Sequence, residues 1–198
     1  MTKFSQTNKG YTLVETLVSL GIFMIVAFIA ITALFLITDA HRRAQATRAI
    51  VDNLDFSIEE IVRSARDGRL YNCGSESDLT AQIAAGNNGI GTFRNCLDGT
   101  YIAFEPPTGD VLSPSDQVIY RLNGNAVHKS VDGGTSFITL TDPAVTINDL
   151  KFYISGADPR DGIQSKVLMI LRAETRIKGE EKAVFNIQTT ITQRFTDL

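Results

Sequence analysis

An uncharged, strongly apolar run from Thr16 to Thr38 constrains this chain more than any other feature. The run contains 23 residues and reads TLVSLGIFMIVAFIAITALFLIT. As a helix that rises 1.5 Å per residue it would reach about 35 Å, which is enough to cross a bilayer core about 30 Å thick. The sequence therefore predicts one membrane-spanning helix.

A single acidic residue, Glu15, lies directly before the run, and a basic leader with Lys3 and Lys9 precedes it. An ionised side chain near hydrocarbon costs about 2.5–3.5 kcal/mol on insertion scales, so we expect Glu15 to have a charged partner. The run is too long for the core of an ordinary secretory signal. The flanking charges do not fix the orientation of the helix, because three arginines within residues 42–48 follow it.

The helical pattern continues beyond the run. Residues 40–66 contain neither proline nor glycine, and their apolar positions recur at spacings of three and four residues. The resulting stripe consists of Ile50, Leu54, Ile58, Ile61 and Ala65. We expect one continuous helix that ends at Gly68 and lays this stripe across a sheet.

Alternating apolar residues and turn residues in the second half of the chain predict strands. The predicted strands cover 100–105, 117–122, 126–131, 136–140, 145–155, 166–177 and 182–195. Residues 123–125 form the turn of one hairpin, and residues 178–181 form the loop of another. Residues 67–99 are predicted to be irregular, apart from a short helix at 78–85. A long helix followed by a mostly antiparallel sheet predicts an α+β fold.

The two cysteines, Cys73 and Cys96, fall within the irregular stretch and lack the spacing of a zinc site. A disulfide between them would close a loop, at a gain of about 3 kcal/mol in the chain-entropy model. It would also place the domain outside the reducing cytoplasm. The alternative is two unrelated free thiols.

No arrangement of residues points to catalysis, a cofactor or a metal. The histidines, His41 and His128, belong to no cluster of metal ligands. The acidic segment with Asp158 and Asp161 lacks the regular spacing of a calcium loop, and we interpret it as a turn. A net charge of −3 gives no reason to expect a nucleic-acid partner. The sequence therefore predicts a protein that is not an enzyme.

The N-terminal segment resembles that of type IV prepilins and of type II secretion pseudopilins. The residues that carry the likeness are Lys9, Gly10, Tyr11, Thr12, Leu13, Val14 and Glu15, followed by the apolar run. Major pilins commonly have a proline midway through this helix, whereas position 32 is Thr32, which favours a minor subunit. The segments VIYRL at 118–122 and HKSVDGG at 128–134 resemble segments of J-type minor pseudopilins and W-type minor pilins.

The resemblance implies that a prepilin peptidase cleaves after Gly10 and that the new amino group of Tyr11 is methylated. It divides the chain into a leader at 1–10, a transmembrane and assembly helix at 11–38, the amphipathic half of that helix at 39–66 and an extracytoplasmic, β-rich head at 67–198. The chain would be a single-pass protein of the bacterial inner membrane with its head outside the cytoplasm.

From that membrane, an inner-membrane assembly platform would extract the subunit into a pilus or pseudopilus with other pilin or pseudopilin subunits. In such a bundle we expect Glu15 to pair with the amino group of a neighbouring subunit and so to set the axial register. Two alternatives stay open: an uncleaved, membrane-anchored extracytoplasmic binding domain, and a component of a competence pilus for DNA uptake.

Overall fold

The computed structural model describes residues 10–84, 93–110, 112–176 and 182–194. Residues 1–9 of the expected leader and the predicted loop at 178–181 lie outside this part of the chain. The chain forms two compact units, residues 1–45 and residues 46–198. The finer division into leader, membrane helix, amphipathic half and head stays a prediction.

Helix α1 spans Leu13–Asp67, which confirms the predicted unbroken helix that ends at Gly68. Arg66 lies in its last turn, where a positive charge is favourable next to the helix dipole. The hydroxyl of Tyr71 closes this end, because it lies 2.6 Å from the carbonyl oxygen of Ala65 and 2.8 Å from that of Gly68. Carbonyl groups at the C-terminal end of a helix lack intrahelical N–H donors. The hydroxyl of the buried Tyr71 therefore supplements the N–H of Gly68, which donates to the carbonyl of Ala65 at 3.3 Å.

The rest of the described chain is mainly strand. A second helix, α2, spans Glu76–Ala84, close to the predicted 78–85. The nine strands are β1 (Arg69–Gly74), β2 (Cys96–Gly99), β3 (Tyr101–Glu105), β4 (Val118–Asn123), β5 (Ala126–Ser130), β6 (Ile138–Thr139), β7 (Val145–Ser155), β8 (Lys166–Arg176) and β9 (Lys182–Thr192). The prediction missed β1 and β2 and made β6 too long.

The strands form two antiparallel sheets. A five-stranded sheet has the order β1-β3-β4-β5-β6, and a four-stranded sheet has the order β2-β7-β8-β9. Strands β4 and β5 form the predicted hairpin, in which Asn123 pairs with Ala126 and Gly124 adopts a φ of 60°. A left-handed glycine in a two-residue turn matches the twist of the flanking strands. The α+β architecture is therefore the one predicted.

The apolar stripe of α1 is buried, as predicted. Leu54, Ile61 and Ala65 belong to one core cluster, and Ile50 and Ile58 pack against it. Both sheets contribute to this cluster, with Phe104 and Tyr120 from the five-stranded sheet and Leu150, Phe152 and Met169 from the four-stranded sheet among its members. Leu79 of α2 forms a second cluster with the opposite-facing Tyr101, Ala103 and Ile119.

A disulfide joins Cys73 on β1 to Cys96 on β2, with Cα atoms 6.0 Å apart. This confirms the predicted pairing. Because β1 belongs to the five-stranded sheet and β2 to the four-stranded sheet, the bond cross-links the two sheets. It also closes the segment that contains α2.

Candidate functional site: the exposed apolar helix and its N-terminus

The apolar part of α1 is bare. Between Leu13 and Ile37 its large apolar side chains are 52–75% exposed. By length and composition the helix can cross a membrane, and its most apolar window has a mean hydropathy of 2.9 with none of that window buried. Soluble monomers rarely expose apolar patches above a few hundred square ångströms, and larger ones mark contact surfaces. This surface is therefore built to be covered by lipid or by protein.

Three threonines of this segment satisfy their hydroxyl groups within the helix itself. Thr16, Thr32 and Thr38 each donate a hydroxyl hydrogen bond to a carbonyl three or four residues earlier, at 2.8–2.9 Å. Threonine often bonds back to its own helix in this way. Hydrocarbon offers no hydrogen-bond partner, so internal satisfaction allows these three residues to face an apolar environment.

Thr12 caps the N-terminus of α1. Its side-chain oxygen accepts the backbone N–H of Glu15 at 3.3 Å, and its carbonyl accepts the N–H of Thr16 at 3.2 Å. Thr12 followed three residues later by Glu15 is the capping-box pattern. The cap is not among the predicted features, although the spacing of Thr12 and Glu15 alone contains its signal. Glu15 thus lies in the first turn, where a negative charge is favourable next to the helix dipole.

The residues that flank the expected cleavage position are accessible. Gly10 and Tyr11 precede the helix, and Tyr11 is 81% exposed. A Cβ atom built on Gly10 would meet nothing within 4 Å among the described residues. Tyr11, Glu15, Ser19 and Phe23 line a shallow groove along one side of the helix, as side chains four residues apart should.

The carboxylate of Glu15 makes no hydrogen bond or ion pair with another residue in the described part of the chain. By contrast, the next acid of the helix, Asp39, pairs with Arg43 at 3.0 Å within the same helix. A partner for Glu15 among the described residues is therefore missing, and its proposed pairing with another subunit stays a prediction.

The remaining candidate residues have ordinary local contacts. His41 lies 3.1 Å from the side chain of Gln45. His128 lies on β5, where burial lowers its pKa and the positive charge of Arg121 lowers it further. In the acidic turn, Asp158 accepts the backbone N–H of Arg160, as an ordinary turn-forming residue does. Over the described ranges no three His, Cys, Asp or Glu side chains converge as a metal site would require.

A comparison with protein families finds a match at the N-terminal segment. Residues 5–31 match the model of the prokaryotic N-terminal methylation motif. The matched segment includes Gly10, Tyr11 and Glu15 and extends into the bare apolar helix. No curated protein matches the chain significantly, and no solved structure does. The match does not cover residues 32–198.

Proposed function

We propose that the chain is a pilin-like precursor that serves as a non-enzymatic minor pilin or pseudopilin. Prepilin peptidase would cleave it after Gly10, the amino group of Tyr11 would be methylated, and residues 11–38 would pack into a filament. The observation that carries this proposal is that two features occupy the same part of the chain. The methylation motif at 5–31 overlaps the apolar helix that the described structure leaves uncovered.

The composition of the bare segment suits both of the environments that a filament subunit meets. In the inner membrane its apolar side chains would contact lipid, and in the filament they would contact neighbouring helices. Gly21, Ala27, Ala30 and Ala33 are small, and small residues allow helices to approach closely in membranes. The internally bonded threonines would remain satisfied in either place.

The proposal gives Glu15 the role of a register device. After cleavage each subunit would begin with the charged amino group of Tyr11, four residues before Glu15. In an apolar bundle a carboxylate without a cation is costly, because breaking a buried ion pair leaves an uncompensated charge. Pairing Glu15 with the amino group of a neighbouring subunit would favour one axial offset between subunits over the others.

The disulfide between Cys73 and Cys96 supports a location of the head outside the cytoplasm, because disulfides persist in oxidising compartments. We infer that the subunit is held in the bacterial inner membrane with this head outside and then joins a filament. The likeness of residues 118–122 and 128–134 to J-type pseudopilins and W-type minor pilins favours a role in initiating or capping a type IV pilus or a type II secretion pseudopilus.

Processing is tested by expressing the full chain with a prepilin peptidase and measuring its intact mass. We expect the loss of residues 1–10 and the gain of a methyl group. Gly10→Ala should block both changes, whereas Gly21→Ala, a matched substitution inside the helix, should leave them unaffected. A wild-type chain that stays full length beside a working peptidase would favour the uncleaved, membrane-anchored binding domain.

Assembly is tested separately with Glu15→Ala and Glu15→Gln. Both variants should be cleaved normally and incorporated poorly into filaments, because each lacks the charge while the backbone contact of residue 15 to Thr12 is kept. Asp39→Asn is the control, since Asp39 already pairs with Arg43 inside its own helix. Normal incorporation of both Glu15 variants would contradict the register role.

A further inference from the structure

Strand β9 forms a long edge of the four-stranded sheet. It is the last strand of that sheet, spans 11 residues, and pairs with β8 and with no other described strand. The other strands at sheet edges, β1, β2 and β6, have 6, 4 and 2 residues. A long edge strand presents a row of unpaired backbone N–H and C=O groups, which makes it a template for a further strand.

Two hydrogen bonds at the end of β9 show which of its backbone groups face this edge. The N–H of Gln193 donates to the carbonyl of Ser165 at 3.1 Å, on the side of β8, whereas the N–H of Arg194 donates to the carbonyl of Arg66 at 2.9 Å. Backbone groups alternate in direction along an antiparallel strand. The even residues of 184–192 therefore direct their N–H and C=O groups away from β8. Within the described ranges no backbone hydrogen bond to these outward groups is found.

This edge carries none of the features that normally prevent pairing with another chain. Natural proteins protect edge strands with charged residues, proline or bulges. Residues 183–192 read AVFNIQTTIT, without charge or proline, and the register of β9 with β8 has no shift. The segment is therefore suited to accept another strand.

The core-facing side of β9 is incompletely covered. On β8, the core-facing side chains at 167, 169, 171, 173 and 175 are all buried. Among their cross-strand partners on β9, Ile191 is buried, whereas Phe185 and Ile187 are only half-buried. A strand added beside β9 would cover more of the apolar surface of Phe185 and Ile187, because cross-strand neighbours on one face lie in contact.

We propose that β9 pairs with β9 of a second copy of this chain, antiparallel and centred on Gln188. The outward groups of the even residues 184–192 would bond to the same residues of the copy, and two four-stranded sheets would become one eight-stranded sheet. This register pairs all of the outward groups, and within 184–192 it sets no charge opposite another. Such an interface uses the same patch on both subunits, as two-fold dimers do.

The charges on the neighbouring strand favour this partner. On the outer face of the sheet, Lys166 lies beside Thr192, and Glu174 lies beside Val184. The proposed register sets Thr192 opposite Val184 of the second copy, so Lys166 of one copy lies in the same cross-strand row as Glu174 of the other. A parallel pairing in register would instead align Lys166 with Lys166. The antiparallel dimer therefore has complementary charges on both sides of its two-fold axis.

The test measures the oligomeric state of the full chain in detergent micelles by sedimentation equilibrium, with the detergent matched to the density of the solvent. We expect the wild type to dimerise. Gln188→Lys and Gln188→Glu each place like charges directly opposite one another at the two-fold axis, and each should weaken the dimer by roughly five-fold or more. An equimolar mixture of the two variants should restore the dimer, because opposite charges then meet.

Ser155→Lys is the matched control. Ser155 is exposed on the outer face of the same sheet but lies on β7, away from the proposed axis, so this variant should dimerise like the wild type. A wild type that stays monomeric at a concentration on the order of 10⁻⁴ M overturns the proposal and leaves the edge to a strand of a different protein.

Two other results would also overturn the proposal. A dimer that persists unchanged in both Gln188 variants would assign the association to the apolar helix, and a mixture that restores nothing would exclude the register centred on Gln188. None of these measurements depends on cleavage after Gly10, so they are independent of the proposed role in a filament.

Discussion

Replacing Cys73 and Cys96 by alanine together is expected to lower the free energy of unfolding of the head by about 3 kcal/mol. The bond closes a loop with a sequence separation of 23 residues. In the chain-entropy model, a cross-link over a loop of that length removes roughly 3 kcal/mol of denatured-state freedom at 25 °C. Cys73 is fully buried, so the substitution adds a small packing loss to this entropic effect.

The structure gives a reason to expect the full loss of unfolding free energy when the disulfide is removed. The bond connects a strand of one sheet to a strand of the other. The segment that it closes contains α2, which packs on the outer face of the five-stranded sheet. Without the bond, only packing and hydrogen bonds would hold the short β2 in place. We therefore expect the loss to affect the whole head rather than α2 alone.

The assay is urea unfolding of the full chain in detergent, with and without a reductant, followed by circular dichroism. Reduction of the wild type should give this loss, equivalent to a fall in Tm of roughly 6–12 °C, and substitution of both cysteines should give a slightly larger one. The double variant should not respond to the reductant, which controls for effects on the detergent. A loss below about 1 kcal/mol would refute the loop-closure reasoning, since it would mean that the reduced denatured chain is already restricted.

Three further predictions concern the junction of α1 with the sheets and the outer face of β5. Gly68→Ala should destabilise the head by about 1–3 kcal/mol in urea unfolding, because the new methyl group would overlap the buried ring of Phe104. Tyr71→Phe should cost about 1–2 kcal/mol in the same assay, because the buried hydroxyl that donates to the carbonyls of Ala65 and Gly68 at the helix end would be lost. His128 has a pKa below its usual 6.5, so the folded state binds a proton at this residue less readily than the unfolded state does. The stability of the fold is therefore unaffected by His128 above that pH and is lowered by its protonation as the pH falls. His128→Gln should therefore reduce the loss of stability between pH 7 and pH 5, and an unchanged pH profile would contradict the lowered pKa.

Local patterns predicted α1 and most of the strands because their signals lie within the elements themselves. The stripe from Ile50 to Ala65 has the helical period. Strand β7 alternates on both sides of a register shift between Ile147 and Asp149, and β8 contains a continuous apolar run at 167–171. The strands β1 and β2 had no such signal, since their sequences RLYNCG and CLDG are short and contain turn-forming residues. Their extended form comes from pairing with β3 and β7, and partners distant in the chain do not show in a local pattern.

The same distinction applies to the sites. Gly10, Tyr11 and Glu15 could be identified from the sequence because the motif is contiguous, and the cap at Thr12 could have been found in the same way. The burial of Glu105, the last residue of β3, could not be predicted, because TYIAFE reads as an ordinary strand that ends in an acid. Its burial depends on Gly109 lying against it and on the register that places Gln117 alongside. Both are consequences of the folded loop.

The two parts of α1 differ in what can cover them, and this difference bears on assembly. Between residues 46 and 67 most apolar residues form one stripe, which a sheet can cover while Asp52, Asp55 and Glu59 stay in solvent, although Phe56 is exposed. Between residues 16 and 38 every side of the helix is apolar, so one covering surface would never suffice. Lipid or a ring of neighbouring helices can surround it equally well. Transfer from a membrane to a filament would then change little for these residues, and Glu15 would be the group whose surroundings change most. Substituting its charge should therefore separate assembly from membrane insertion.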